Sequence, residues 1–344
     1  MWLFYGPLIA FYVAWLLLVT FGGHWMTVFE HWAIAVAMAA GSYFAGSTPM
    51  GGGTIGFPIL VLLFDQPAEI GRNFSFAIQS VGMVSASLYI LASRAPLEWP
   101  MLRWAMLGAL IGTPLGAAFI APIAPDLLVK LVFAVIWASF GMLHFVKLRE
   151  IAGAAGMTPT SSRMDHLTGL GIGLIGGATI ASITGVGVDM LLYSALVLVV
   201  RADLKIAIPT SVVLMAFTSV VGLAANLLLA EAAPTRYAIS PEVYANWLAA
   251  APIVAIGAPV GAVMVRRIGR RPTLFVVSTL CILQFVWTCV HEWDRMSTWM
   301  VVATLLGLFV MNGAFHILWN VGGRLARRRG HLSLAEAQKK LESE

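Results

Sequence analysis

Two glycine-rich stretches are the places in this chain where residue type and spacing offer chemistry. Thr48-Pro49-Met50-Gly51-Gly52-Gly53-Thr54 and Thr184-Gly185-Val186-Gly187-Val188-Asp189 lie 136 residues apart, counted from Gly51 to Gly187. Each interrupts an apolar run long enough to enter a membrane. Hydrocarbon gives irregular backbone no hydrogen-bond partner, so such breaks survive at membrane depth only inside protein or beside an aqueous cavity. The chemistry they offer is anion recognition. A half-helix N-terminus presents unpaired N–H groups and about half a positive charge without burying a full cation. Glycine lets a ligand approach that backbone closely. Thr48, Thr54 and Thr184 can add hydroxyl donors, as can Ser75, Thr210 and Ser211 where the following helices begin. The expected substrate-binding set is Thr48, Gly51, Gly52, Gly53, Thr54, Ser75, Thr184, Gly185, Gly187, Thr210 and Ser211. Ordinary capping and close helix packing are the competing readings of the hydroxyls.

Asp189 is the most informative ionisable residue. A carboxylate at membrane depth is costly and marks a coupling site for a proton or another ion; capping the helix that follows the break is the equal alternative. Asn73, Gln79, Asn226 and Gln284 either touch substrate or pair helices. Arg72 and Lys205 flank the two mouths, as anion-concentrating charges or as interfacial anchors. The seven histidines show no helical ligand spacing, and Cys281 and Cys289, eight positions apart, cannot bridge within a straight helix. No metal, cofactor or ATP-binding motif is expected. An intramembrane enzyme would need converging acids, bases or ligands, and only Asp189 lies well inside.

The elements that position these residues follow from composition. Hydrophobic residues make up 60% and charged residues only 11%, against roughly a quarter charged in soluble proteins. The chain reads as an all-α polytopic membrane protein. About eight spanning helices are expected, near 3–21, 70–93, 100–122, 126–147, 204–230, 242–266, 272–292 and 297–320. Residues 31–64 and 165–200 are too long for one crossing and are broken in the middle, so each reads as a re-entrant helical hairpin; a full span followed by a half-span is the alternative. With hairpins, only Arg72, Lys130, Arg236 and Arg295 of the 21 basic residues fall outside and the other 17 face the cytoplasm. Both termini are then cytoplasmic. The formal charge of +5 is therefore a topology signal, with no nucleic-acid partner implied. Trp25, Trp32, Trp99, Trp104 and Trp293 fit an interfacial belt, and Ser333 to Glu336 a capping box in a basic tail. Gly322, near the last helix end, reads as an open position that tolerates bulk.

A shift of 136 aligns Gly51 with Gly187, Asn73 with Pro209, Phe74 with Thr210 and Ser75 with Ser211. At a shift of 145, Thr113-Pro114-Leu115-Gly116-Ala117 matches Ala258-Pro259-Val260-Gly261-Ala262. The expected organisation is an N-terminal helix and loop (1–30), a first repeat (31–147), a cytoplasmic linker (148–164), a second repeat (165–292), a last spanning helix (293–323) and a basic cytoplasmic tail (324–344). The first unit opens from the periplasm and the second from the cytoplasm, so the repeats are inverted, the arrangement from which alternating access arises.

Gly46, Gly51-Gly52-Gly53 and Pro58, followed by a small-residue and serine patch at the next helix start and repeated in the second half, resemble the sulfite exporter TauE/SafE family of bacterial permeases. The likeness covers most of 31–292; the second break departs from the first in carrying Asp189. The resemblance implies export of sulfite or a small organosulfonate across the inner membrane. The expected partners are a small sulfur-containing anion, the bilayer, and a proton or other coupling ion if transport is not passive. Import of a related anion is the alternative.

Overall fold

The computed structural model describes residues 1–48, 53–154, 156–264 and 270–328. Among these residues every regular element is helical. In chain order the principal helices are α1 (Trp2–Phe21), α2 (Trp32–Ser47), α3 (Gly53–Pro58), α4 (Ala68–Ala92), α5 (Trp99–Phe119), α6 (Asp126–Val146), α7 (Ser162–Gly171), α8 (Val188–Ser194), α9 (Leu204–Ala232), α10 (Pro241–Met264), α11 (Arg270–His291) and α12 (Thr298–Arg328). Three π-helical stretches, Ile59–Leu63 after α3, Ile172–Ala181 after α7 and Ala195–Val199 after α8, all lie in the two broken segments. Such widened turns are frequent where a helix serves function.

Nine helices among the described residues are long and apolar enough to span a bilayer, so the chain is a multi-pass membrane protein. Eight correspond to the spans expected from sequence. The ninth, Ser162–Thr184, runs 23 residues and forms the first limb of the second broken segment, whereas Val188–Val199 is much shorter. The limbs are therefore unequal, where two short helices are expected. A seam of small residues accounts for the longer limb. A Cβ on Gly169 or Gly173 would strike the α5 backbone, and one on Gly108, Gly112 or Gly116 would strike the limb's backbone. Glycines four residues apart on both helices let the two backbones approach closely.

Contacts join the entry and exit of the second broken segment and tie both ends of the first to neighbouring helices. Thr158 N donates to Val200 O at 2.9 Å and Asp203 N to Gly156 O at 2.6 Å, joining the entry and exit of the second segment. At the first, His31 meets Glu242 at 3.1 Å and Asp65 lies 3.8 Å from His291. Those partners are the start of α10 and the end of α11.

Helix pairing is unchanged when the two halves are exchanged: α2 packs on α10 and the α7 limb on α5, α4 on α9, and α6 on α11. Ser42 meets Gly257 and Gly46 meets Ala258, so α2 runs alongside α10 in the same sense, as the α7 limb does along α5. Tyr237 Oη donates to Ala118 O at 2.8 Å, placing the start of α10 beside the end of α5. Gly116 and Gly261, matched at the shift of 145, both seat a broken segment. Gly322 is a correction: a Cβ there would strike the carbonyls of Leu198 and Val199, whereas Gly313 faces open space.

A candidate anion site at the second break

Arg72, Ser75 and Gln79 are three and four positions apart on α4 and so share a face. The second break packs against that face. Gly185 has φ +78, and a Cβ there would stand 2.5 Å from Arg72 O and 2.7 Å from Ser75 Cβ. Conformation and space both require glycine. Gly187, at φ +102, lies against Ile180 and Trp137. Gln79 Nε2 donates to Ser75 O and Gly185 O, each at 3.0 Å, tying α4 to the break.

Of the expected hydroxyls, Ser75 and Thr184 meet here. Ser75 Oγ donates to Gly71 O at 2.7 Å, and Thr184 Oγ1 lies 2.8 Å from Ile180 O and 2.9 Å from Val186 O. Both protons are thus directed at backbone. Thr210 and Ser211 lie apart from this cluster. Each donates within α9, and Thr210 also accepts from Glu98 N in the α4–α5 connection. Lys205 is exposed. At the first break Thr48 is buried in extended backbone at the end of α2, and Gly53 and Thr54 open α3. Gly51 and Gly52 lie outside the described residues, as does the Ser333 to Glu336 pattern.

Asp189 is fully buried in the first turn of α8. Its Oδ1 accepts from Gly187 N at 3.2 Å, the local bond of a capping carboxylate. Its Oδ2 meets no donor among the described residues. The short α8 therefore presents a terminus already faced by an acid, and an anion placed there would compete with that carboxylate. The cation on the α4 face that packs against the break is Arg72.

Arg72 lines a cleft of about 320 Å³ with Asn73, Asn226, Arg236, Tyr237 and Ile183, the residue before Thr184. Arg72 Nη2 lies 3.6 Å from the exposed carboxylate of Glu69, and its buried Nε meets no acceptor among the described residues. Asn226 Nδ2 donates to Asn73 Oδ1 at 2.8 Å, joining α9 to α4 at the cleft. Arg236 and Tyr237, missed as site residues in the sequence, belong to a short helix before α10. No periodicity marks them; only the fold of the α9–α10 connection brings them here. Among the described residues no group of three metal-ligating side chains converges.

Comparison with curated proteins and with solved structures gave no match. The family described as Sulfite exporter TauE/SafE matches residues 33–288, which takes in both broken segments, the face of α4 that carries Arg72 and the paired helices around them. With three-quarters of its length inside that match, the chain belongs to the sulfite exporter TauE/SafE family.

Proposed function

We propose that this permease exports sulfite or a small organosulfonate across the bacterial inner membrane by alternating access. The observation that carries the reading is the cleft near the second break, lined by Arg72 and by Ile183 of the limb that leads into it, where the buried Arg72 Nε meets no acceptor among the described residues. A small anion is the ligand such a guanidinium accepts best, by charge-assisted hydrogen bonds to planar or pyramidal oxygens. The family supports sulfur as its central atom. Two re-entrant hairpins in inverted repeats are supported by the joined ends of the second segment and by a pairing scheme that survives exchange of the halves. Rocking one set against the other would expose a central site alternately to each side.

The distribution of basic residues supports a topology in which the cleft and all four outlying cations, Arg72, Lys130, Arg236 and Arg295, lie at the periplasmic end and both termini in the cytoplasm. The open face is then the side to which an exporter releases its cargo. Asp189, buried with one oxygen unpaired, is the residue suited to carry a coupling proton. The test is counterflow in proteoliposomes with sulfite, thiosulfate, sulfoacetate and chloride side by side. Saturable exchange of a sulfur anion but not chloride is expected; chloride exchange at an equal rate, or none for any sulfur anion, overturns the reading.

A further inference from the structure

Asn73 of α4 and Asn226 of α9 are buried, at 4% and 8% exposure, yet both line the Arg72 cleft. Asn226 Nδ2 donates to Asn73 Oδ1 at 2.8 Å, and neither amide makes another hydrogen bond among the described residues. The amides of Asn246 and Asn312, by contrast, donate to carbonyls of their own helices, Glu242 O at 2.9 Å and Leu308 O at 2.8 Å. Asn73 Nδ2 and Asn226 Oδ1 thus lack a partner, and neither is sealed within the interior. They open onto the cleft that both residues line. Turning both amides over reverses the bond between them and exchanges the two free atoms, so the pair offers the cleft one NH2 group and one carbonyl in either arrangement.

The other end of the same two helices shows that packing does not require this pair. The start of α4 meets the end of α9 at the asparagines, and the end of α4 meets the start of α9 where Ser87 Oγ donates to Val212 O at 3.5 Å. At the shift of 136, Asn73 matches Pro209 and Asn226 matches Ile90. Neither of those residues carries an amide, and α4 still packs on α9. Polar side chains within spanning helices are costly and mark function. The amides stand only where the cleft is.

We infer that Asn73 and Asn226 are substrate-binding residues: the free NH2 of the pair donates to one oxygen of the anion while the Arg72 guanidinium answers another. The inference rests on the permease reading above and adds the neutral half of its site. The ligand is then an oxyanion, held by α4 of the first half of the chain and α9 of the second at once. A site between the two halves is where alternating access needs it. The free carbonyl of the pair takes a water or an O–H of the ligand. An amide suits this task because it orients the anion without adding a second full charge, and a transported ion must bind weakly enough to leave.

The test removes both amides together. Asn73→Leu combined with Asn226→Ile leaves no orphan polar group, so the variant should be recovered from the membrane with an unfolding midpoint near that of the wild type. Sulfite counterflow is then measured in proteoliposomes of the full chain. The half-saturating concentration is expected to rise about tenfold, as for the loss of one hydrogen bond to a charged group, with the maximal rate changed by less than about twofold. Where the double variant is not recovered, Asn226→Ala, which vacates space that opens onto the cleft, must raise the half-saturating concentration by at least about threefold. An unchanged half-saturating concentration in the recovered variant, or a fall in maximal rate alone, is the mark of a bond that only joins helices, and overturns the inference while the permease reading stands. Absence of sulfite flux in the wild type overturns the permease reading, and this inference with it.

Discussion

Two buried polar clusters lie at the same end of the bundle and differ in one respect. Around Lys130, every charge is answered. Its Nζ lies 2.8 Å from Glu292 Oε1 and 3.1 Å from Asp126 Oδ2, and Arg295 holds the other Glu292 oxygen at 2.8 Å. Asp126 Oδ1 in turn accepts from Ala68 N at 2.6 Å, fastening the start of α4. Around the second break, by contrast, Arg72, Gln79 and Asp189 each keep a buried polar atom without a partner. Native interiors leave few such atoms, and each asks for an explanation. A saturated network holds helices in place, whereas an unsaturated one costs stability unless something else arrives to complete it. Asp126 of the first cluster also lines the Arg72 cleft, so the difference lies in saturation: it fits a structural role for the first cluster and supports the ligand binding proposed at the second.

The comparison is broken most forcefully at its saturated member. Lys130 and Glu292 are 3% and 1% exposed, and truncating one partner leaves the other charge buried and alone. Lys130→Met should lower stability by about 3–5 kcal/mol, read as a fall in the unfolding midpoint in detergent. Lys130→Met combined with Glu292→Met should recover most of that loss, because two apolar side chains leave no orphan charge. Folded protein of either variant should bind substrate with wild-type affinity. A specific loss of binding at preserved stability would move this cluster to the functional side.

At the unsaturated member the expected loss is of flux. Gly185→Leu combines a left-handed backbone with a collision against Arg72 O and Ser75 Cβ, and strain alone is worth about 1–3 kcal/mol. Transport should fall by at least about tenfold while the protein remains in the membrane. Gly313→Leu, facing open space, is the matched control and should transport normally. Wild-type flux in a well-folded Gly185→Leu protein would remove the break from the site. Arg72→Gln tests the cation itself: losing a charged hydrogen bond should raise the half-saturating concentration by about tenfold or more. Glu69→Gln should lower it modestly, since the guanidinium then loses a competing carboxylate at 3.6 Å. Equal effects of the two substitutions would show that Arg72 acts through its ion pair alone.

What could be read in advance follows the range of the interactions. Span positions were legible because about twenty apolar residues must cross a bilayer, and the breaks because glycine pairs interrupt those runs. Asn73, Gln79 and Asp189 stood out as polar residues in an apolar background. Which of them meet was not legible, since that depends on α4 lying against the second break and α9. Thr210 matches Phe74 and Ser211 matches Ser75 at the shift of 136, yet Thr210 caps the α4–α5 connection through Glu98 N. The length of the α7 limb could have been read from Gly169, Gly173 and Gly177 facing Gly108, Gly112 and Gly116, two ladders of glycines four apart. Attention to the breaks alone hid that seam. The ion cluster could not be read at all, for Lys130 and Glu292 are 162 residues apart in the chain.

The smallest effect is expected at Glu98, which lies at the opposite end from both clusters and outside the spanning segments. Its backbone N–H donates to Thr210 Oγ1 at 3.0 Å, and its carboxyl is buried. Burial raises its pKa above the usual glutamate range, and the Asp165 carboxylate raises it further. A carboxyl with a raised folded-state pKa prefers its proton in the folded protein. Stability is therefore greatest below the unfolded-state pKa and declines as pH rises through the folded-state value. Glu98→Gln, which stays neutral, should escape that decline. Its unfolding midpoint should exceed the wild type's by about 2 °C at neutral pH, and the two should converge under acidic conditions where Glu98 is protonated in both states. Substrate selectivity should not change. A variant less stable than wild type at neutral pH would mean that the Glu98 carboxylate forms a favourable contact stronger than its burial cost, and the polar groups at this end of the bundle would then belong with the saturated cluster around Lys130.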